Sequence, residues 1–494
     1  MEITPLLENT SGQSRSVSQQ PPLCIDLDGT LLKTDTLWET FIAQLKSRPW
    51  RLLLVPFWLL SGRACLKQRL AEGAKLDCAS LPYTGQLLSL LEQAHAAQRP
   101  LILVSACDSS VAMQIAEHLG FFTEVIASDG KTNLKGRNKA RVLVERFGRG
   151  GFDYAGNERA DLAVWEVSRE RLVVNAPRGI VQRLGGNSET VRELSPRANR
   201  LKAFVRALRC HQWSKNTLVF LPLIAAHAYF SREAVTGAGL MFVAWCLVAS
   251  GIYVLNDLLD LEADRRHPTK RLRPFASGDL PLSVGIVMAP ALLISGLMIA
   301  TLISLSCLAA LGLYCALAFA YSSHLKKRSL VDVFSLAFFF TVRVVGGGLA
   351  SGYPVSAWLL AFAGFLFLGL AFLKRCSELV CIQGLGRRHM GSRGYGVVDL
   401  PVLQMFGVAS AFVSIMVLSL YVNSAVAEAQ YRWPAALWAA GPFMLLWLCR
   451  LWLATARGEM SDDPIVYSMK DWVSWLTGAC VLATFIAATV GKPG

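Results

Sequence analysis

From residue 216 onward the chain alternates between apolar runs and short polar connections; before that point it does not. A bilayer core takes about 20 helical residues to cross. Stretches approaching that length stand at 216–230, 236–256, 284–303, 305–322, 331–350, 356–373, 403–423, 435–453 and 473–490. The pattern predicts about nine transmembrane helices, the first of them short and the third and fourth joined by a tight turn at 304–306. Residues 21–190 read differently. Strand-length apolar runs at 23–27, 101–105, 152–155 and 172–174 alternate with helical periodicity such as 109–119 and 138–147, which suits a doubly wound parallel α/β sheet. The fold class expected is therefore a soluble α/β domain followed by an all-α polytopic membrane domain. Residues 1–20, rich in Ser, Gln and Thr, are expected to be a disordered tail. Residues 21–190 form the α/β domain with a helical insert at about 35–98, 191–215 a linker, and 216–494 the membrane domain.

Composition agrees with this division. Over 494 residues only 17% are charged and mean hydropathy is +0.41, too apolar for an ordinary soluble protein. A net charge of +14 invites a nucleic-acid partner, but the basic residues crowd into the connections 257–283, 323–330, 374–402 and 454–472. Lys326, Lys327, Arg328, Lys374, Arg375, Arg387, Arg388, Arg393, Arg457 and Lys470 lie there, while the opposite connections hold chiefly Arg232 and Arg432. That asymmetry is membrane orientation, with the N-terminal domain and these loops cytoplasmic, and it argues for a lipid bilayer and no nucleic acid. The 12 cysteines show no CxxC pair, which fits a reducing compartment and excludes a zinc framework.

The densest chemistry is NDLLDLEADRRHPTKRLRP at 256–274. Asp257, Asp260 and Asp264, three and four apart, share one helical face with Asn256 beside them. Hard oxygen ligands at a membrane edge suit Mg2+ on a diphosphate, and Arg265, Arg266, His267, Lys270, Arg271 and Arg273 follow as phosphate-binding candidates. The competing reading is a polar helix end whose charges pair with one another in water.

The α/β region carries four short motifs in order. PPLCIDLDGTL holds Asp26 and Asp28, Ser105 closes LILVSA, Lys139 lies in KGRNKARVL with Lys135 as its rival, and Asp161 ends GNERAD. Together they resemble the haloacid dehalogenase phosphatase superfamily. The resemblance implies that Asp26 attacks phosphorus, Asp28 is general acid and then base, Ser105 and Lys139 hold phosphoryl oxygens, and Asp161 joins Asp26 and the Asp28 carbonyl on Mg2+. Asn157 stands where many members have a second aspartate, which weakens the metal site; the alternative is an inactive domain kept for regulation or assembly. The insert contains WRLLLVPFWLL at 50–60, too short to span and flanked by Arg48, Arg51 and Arg63. It lies either on the bilayer surface or in the core of a cap.

An NDxxDxxxD stripe ending the second span, within residues 200–494, resembles the UbiA family of intramembrane prenyltransferases. That resemblance implies a magnesium-bound polyprenyl diphosphate held by two aspartate-rich motifs. Here the second motif is replaced by Lys374, Arg375 and Glu378 in FLKRCSEL, a set suited to an anion. The departure resembles the decaprenyl-phosphate phosphoribosyltransferase branch, as do RALRCHQWSKN at 206–216, HPTKRLRPFASG at 267–278, YSSHLKKRSLVDV at 321–333, VRVVGGGLASG at 342–352 and RGEMSDDPIVYSMKD at 457–471. The branch implies phosphoribosyl pyrophosphate as donor, polyprenyl phosphate as acceptor, and a bacterial inner-membrane location. A fused phosphatase would then remove the 5-phosphate of the product.

Lys215 and Lys326 are either phosphate ligands or ordinary positive-inside lysines. Arg343, deep in the fifth span, needs a partner; Asp332 and a substrate phosphate are the candidates. Asp462 and Asp463 precede Pro464 and read as a helix cap or an added metal contact. Two other functions remain in view: a transferase that moves a polyprenyl chain from its diphosphate to an aromatic acceptor, and a non-catalytic scaffold or transporter with a phosphate-sensing domain.

Overall fold

A computed structural model describes residues 20–128, 134–185, 190–195, 198–386, 389, 393–460 and 463–490. The N-terminal tail, Arg387, Arg388 and Asp462 lie outside the described residues. The chain forms two compact units, one of residues 1–207 with 257–287 and the other of 208–256 with 288–494.

The first unit is built on six parallel strands, β1 (Leu23–Ile25), β2 (Leu101–Asp108), β3 (Glu124–Ser128), β4 (Asp153–Gly156), β5 (Arg171–Val174) and β6 (Val191–Leu194), in the order β3-β2-β1-β4-β5-β6. Leu23 pairs in register with both Leu101 and Asp153. Side chains alternate between two cores: Leu23, Ile25, Leu103 and Val174 enter one, and Cys24, Ile102, Val104 and Val173 the other. Burial on both faces is why these strands read as unbroken apolar runs. The strand order reverses direction at β1, which opens a crevice at the carboxyl ends of β1, β2 and β4. Two strands escaped the sequence pattern. β3 is half-exposed, and β6, VREL, is polar and joins β5 through its backbone. The sheet therefore continues past residue 190 into the stretch read as linker, and the Arg200–Leu208 helix follows. The insert is helical as expected, with Thr36–Ser47, Val55–Leu60, Arg63–Ala71 and Gly85–Ala96.

Among the described residues, eight helices are long and apolar enough to cross a membrane: Arg232–Leu259, Leu282–Ile303, Leu305–Ser323, Val331–Ser351, Ala357–Gly384, Val397–Val422, Pro434–Ala456 and Trp472–Thr489. The expected first span is not one of them. Residues Cys210–Phe220 form a 3-10 helix, and Leu221–Ala225 a short α-helix with Pro222 in its first turn. This segment nevertheless runs the length of its neighbour. Ser250 Oγ accepts from Trp213 Nε1 and donates to the Leu208 carbonyl at one end; at the other, Leu223 and Ala228 pack against Ala234. Sixteen helical residues separate Ser250 from Ala234, roughly 24 Å, and a 3-10 rise of about 2.0 Å per residue lets a short segment cover that distance. The glycine-rich C-terminal part of Val331–Ser351 receives it: a Cβ at Gly347 would stand 2.0 Å from the Val219 carbonyl oxygen. The turn at 304–306 is tight, and Ser304 caps the next helix through the Cys307 amide.

Candidate functional site

β1 ends at Ile25, so Asp26 emerges at the carboxyl edge of the sheet, where it is buried. Its Oδ1 accepts from Lys139 Nζ at 2.5 Å and its Oδ2 from Thr30 Oγ1 at 3.2 Å. Lys139 comes from the Arg137–Phe147 helix and also donates to the Tyr154 hydroxyl at 3.0 Å, which donates in turn to Asp161 Oδ1 at 2.8 Å. Asp28 accepts from the Thr36 amide at 2.8 Å and the Thr36 hydroxyl at 3.2 Å. Ser105 lies buried on β2 with its Oγ accepting from the Cys107 amide. Four of the motifs foreseen in sequence thus converge at the strand ends, and Lys139 takes the lysine position while Lys135 pairs with Glu158 at the surface.

Burial pushes the Asp26 carboxyl up to about 6 against the pull of Lys139. Burial, reinforced by Asp35, pushes Asp28 up to about 8. Burial thus favours the protonated form of both carboxyls, more strongly at Asp28 than at Asp26, where Lys139 opposes it.

Magnesium needs hard oxygen donors. Both Asp161 oxygens are engaged, Oδ1 by Tyr154 and Oδ2 by the amides of Asn157 and Glu158 at 3.0 Å each, so this carboxylate organises its loop rather than facing an open position. Asn157 Oδ1, in contrast, is buried without a hydrogen-bond partner among the described residues. Gly29, at φ +77°, admits the Asn157 side chain: a Cβ there would overlap Asn157 Nδ2. Asp26 is likewise engaged at both oxygens, by Lys139 and Thr30, so the donors that fit a metal are Asn157 Oδ1 and the Asp28 carbonyl, with Asp26 joining them where the cation displaces Lys139. Tyr154 was not foreseen, because nothing in FDYA marks a bridging phenol.

The acidic stripe is not one continuous helix. The Arg232–Leu259 helix stops, Asp260 turns the chain (φ −94°, ψ 12°), and Leu261–Arg266 begins. Asp257 and Asp264, both buried, both pair with Arg273 Nη1, at 3.1 and 2.5 Å. Asp260 is exposed and stands apart. Among the described residues no three His, Cys, Asp or Glu side chains gather around one point, so the expected clasp of three carboxylates is a pair, closed by an arginine. A pair converging on a positive charge fits a divalent cation in the guanidinium's place. Asn256 is half-buried just before the pair, while Lys270 and Arg271 are exposed on the following turn. Arg265 is not free: it forms a buried two-point pair with Glu39 at 3.1 and 2.6 Å.

The second unit holds a cationic cluster. Lys215 and Lys374 both donate to Asp463 Oδ2, at 2.9 and 2.8 Å, while Asp463 Oδ1 caps the Pro464–Lys470 helix through the Ile465 amide. Burial opposes ionisation of Asp463, but Lys374 and Lys215 hold its carboxyl well below the usual range. Sequence reading as a cap found half of what Asp463 does. Arg343 is buried and bonds Asn216 Oδ1 at 2.8 Å, the Tyr314 hydroxyl at 3.1 Å and the Phe339 carbonyl. Asp332 is not its partner. That carboxylate belongs to Arg375, fully buried, which also pairs with Glu378; Glu378 is shared with Arg393. Consecutive residues point about 100° apart on a helix, so Lys374 faces the cluster while Arg375 turns into a structural network and takes Glu378 with it. Lys326 is half-buried at a 3-10 turn after Leu305–Ser323.

Residues 217–475 match the model of the UbiA prenyltransferase family, and residues 23–166 that of the haloacid dehalogenase-like hydrolases. The chain is 37% identical to an uncharacterized protein, y4nM, of Sinorhizobium fredii, over 94% of this chain and 91% of that one. Nodulation protein NoeC of Azorhizobium caulinodans is 34% identical over 56% of this chain and 90% of its own length. A decaprenyl-phosphate phosphoribosyltransferase of Corynebacterium glutamicum is 36% identical over 40% of this chain, which spans 61% of that relative.

Proposed function

The chain belongs to the UbiA prenyltransferase family and carries a haloacid dehalogenase-like domain, and from that premise we propose a two-step enzyme of the bacterial inner membrane. It transfers 5-phosphoribose from phosphoribosyl pyrophosphate to a polyprenyl phosphate, then hydrolyses the 5-phosphate. The observation that carries this reading is the charge of the second unit's cluster. Where a second aspartate motif would take another metal, Lys215 and Lys374 share one carboxylate, and Arg343 is held by neutral groups alone. Such a cluster is short of negative charge, and phosphates are what it would receive.

In the first step a lipid phosphate oxygen bonds to the ribose anomeric carbon as the bond to pyrophosphate breaks. In the first unit Asp257 and Asp264 would hold a divalent cation, with Arg273, Asp260, Lys270 and Arg271 as further polar contacts for a phosphate. In the second unit Lys215, Lys374 and Arg343, with Asn256 and Lys326 as further contacts, would receive phosphates. When bound, magnesium neutralises the leaving group's charge. In the second step Asp26 bonds to phosphorus while Asp28 gives its proton to the leaving ester oxygen. Asp28 then takes a proton from the water that frees inorganic phosphate. Lys139 and Ser105 hold the phosphoryl oxygens, and Asp161 positions the Asn157 loop. The basic residues of the loops support a cytoplasmic side for this chemistry.

The test uses membranes given labelled phosphoribosyl pyrophosphate and polyprenyl phosphate. Asp26→Asn should accumulate the phosphorylated lipid, and Asp257→Asn should form none. Incorporation of a polyprenyl chain from its diphosphate into 4-hydroxybenzoate, with no ribosylated lipid, would overturn the proposal in favour of an aromatic prenyltransferase.

A further inference from the structure

The helical insert of the α/β unit carries an apolar face turned outward. No residue of Pro49–Leu60 is buried. Arg51, Leu52, Val55 and Trp58, at helical spacing, are partly covered, with the Arg51 guanidinium 5.7 Å from the Trp58 ring centre. The opposite stripe is Trp50, Leu53, Leu54, Phe57 and Leu60, exposed by 65%, 76%, 43%, 66% and 87%. This inverts the usual order, in which a helix turns its polar side to water, and an exposed apolar patch of this kind marks a surface that something covers.

We propose that Pro49–Leu60 is a monotopic arm that lies in the headgroup region of the bilayer and seats the phosphatase pocket against membrane-borne substrate. Length excludes a span: 12 residues reach about 18 Å as a helix, against about 30 Å of hydrocarbon. Charge favours an anionic surface at exposed Arg48, at the start of the segment, while Arg51 is held by Glu72. A bilayer is always at hand, because the same chain continues into eight helices of membrane-crossing length. The arm is also coupled to the catalytic edge. The next helix, Arg63–Ala71, sends Lys67 Nζ to the Ala106 carbonyl at 2.6 Å, one residue beyond Ser105. Lipid contact on one side of the insert and the phosphatase pocket on the other are thus joined by a few residues.

The experiment uses the full chain reconstituted in vesicles of phosphatidylcholine and phosphatidylglycerol, with a benzophenone-bearing amino acid at position 57, 60 or 113. Positions 57 and 60 should form adducts with lipid. Position 113, where Met113 is half-exposed on the Ser109–Leu119 helix, should not. A second readout is hydrolysis. Leu53→Ser with Phe57→Ser should leave cleavage of soluble p-nitrophenyl phosphate unchanged and slow cleavage of a vesicle-held phosphate ester about tenfold, by loss of effective concentration. Adducts with a second copy of the chain, or equal lipid labelling at 113, overturn the proposal. Absence of any hydrolysis by the unsubstituted chain would instead strike the phosphatase reading, and the lipid adducts would still decide the arm.

Discussion

Two arginines are buried in the helices of the second unit, and they are satisfied in opposite ways. Arg375 sits between Asp332 and Glu378, a closed set of charges that needs nothing more. Arg343 is held by an amide oxygen, a phenol and a backbone carbonyl, which orient the guanidinium without cancelling its charge. A buried cation with neutral partners is a costly arrangement unless an anion completes it. The difference separates a residue that holds helices together from one that awaits a ligand, although both look alike as arginines in apolar sequence.

Removing Arg375 is the harshest way to probe this contrast. Arg375→Met strands Asp332 in the interior and should cost about 3–5 kcal/mol, read as lost folded protein or a lowered Tm in detergent. Arg343→Met should do the reverse. It should leave Tm nearly intact and cut kcat/KM for transfer by about 100-fold or more, as for loss of one charge-stabilising donor. Arg343→Lys should recover little, because an ammonium lacks the forked geometry. If Arg343→Met unfolds the chain while transfer survives in Arg375→Met, the contrast is wrong.

The α/β unit offers the mirror image in Asp28, an acid held by the neutral amide and hydroxyl of Thr36. Because Asp28 is raised to about 8 by burial and Asp35, its stabilising contribution is full below the ordinary carboxylate range near 4 and is lost as pH rises through about 8. Asp28→Asn should flatten that decline and raise Tm at pH 8 by roughly 2–4 °C, while abolishing ester hydrolysis. The smallest effect belongs to Asp463→Asn. Its smallness is in transfer, not stability: asparagine still caps a helix, but a largely buried pair is broken, which should cost about 3 kcal/mol. Freed from their shared carboxylate, Lys215 and Lys374 should lower KM for phosphoribosyl pyrophosphate two- to threefold in low salt.

Much of this was legible in the chain. Asp26, Asp28, Ser105, Lys139 and Asp161 meet because each follows or faces a strand end, and strand ends are marked by apolar runs. The eight long helices are written in hydrophobicity alone. What the pattern could not carry was pairing decided in three dimensions. Arg375 was read with Lys374 because they are neighbours in sequence, yet adjacent helical positions diverge. Asp260 was grouped with Asp257 and Asp264 on the assumption of an unbroken helix, and the break at Asp260 removes it from the pair. β6 has a polar sequence and is held by its backbone, so apolar periodicity was silent there. The expected first crossing is instead a 3-10 segment and a short helix packed against Val331–Ser351, a form that hydrophobicity alone does not signal.

That packing has an evolutionary consequence. Gly346, Gly347 and Gly348 lie side by side in an apolar helix, and a methyl group at each would strike a different neighbour: the Trp245 ring, the Val219 carbonyl, and the Val355 side chain with the Tyr353 carbonyl. Three separate parts of the fold have come to rest against one bare strip of backbone. Drift that passes unnoticed on lipid-facing positions has no neutral step available here, so descendants of this gene should differ freely around the helix while keeping all three hydrogens.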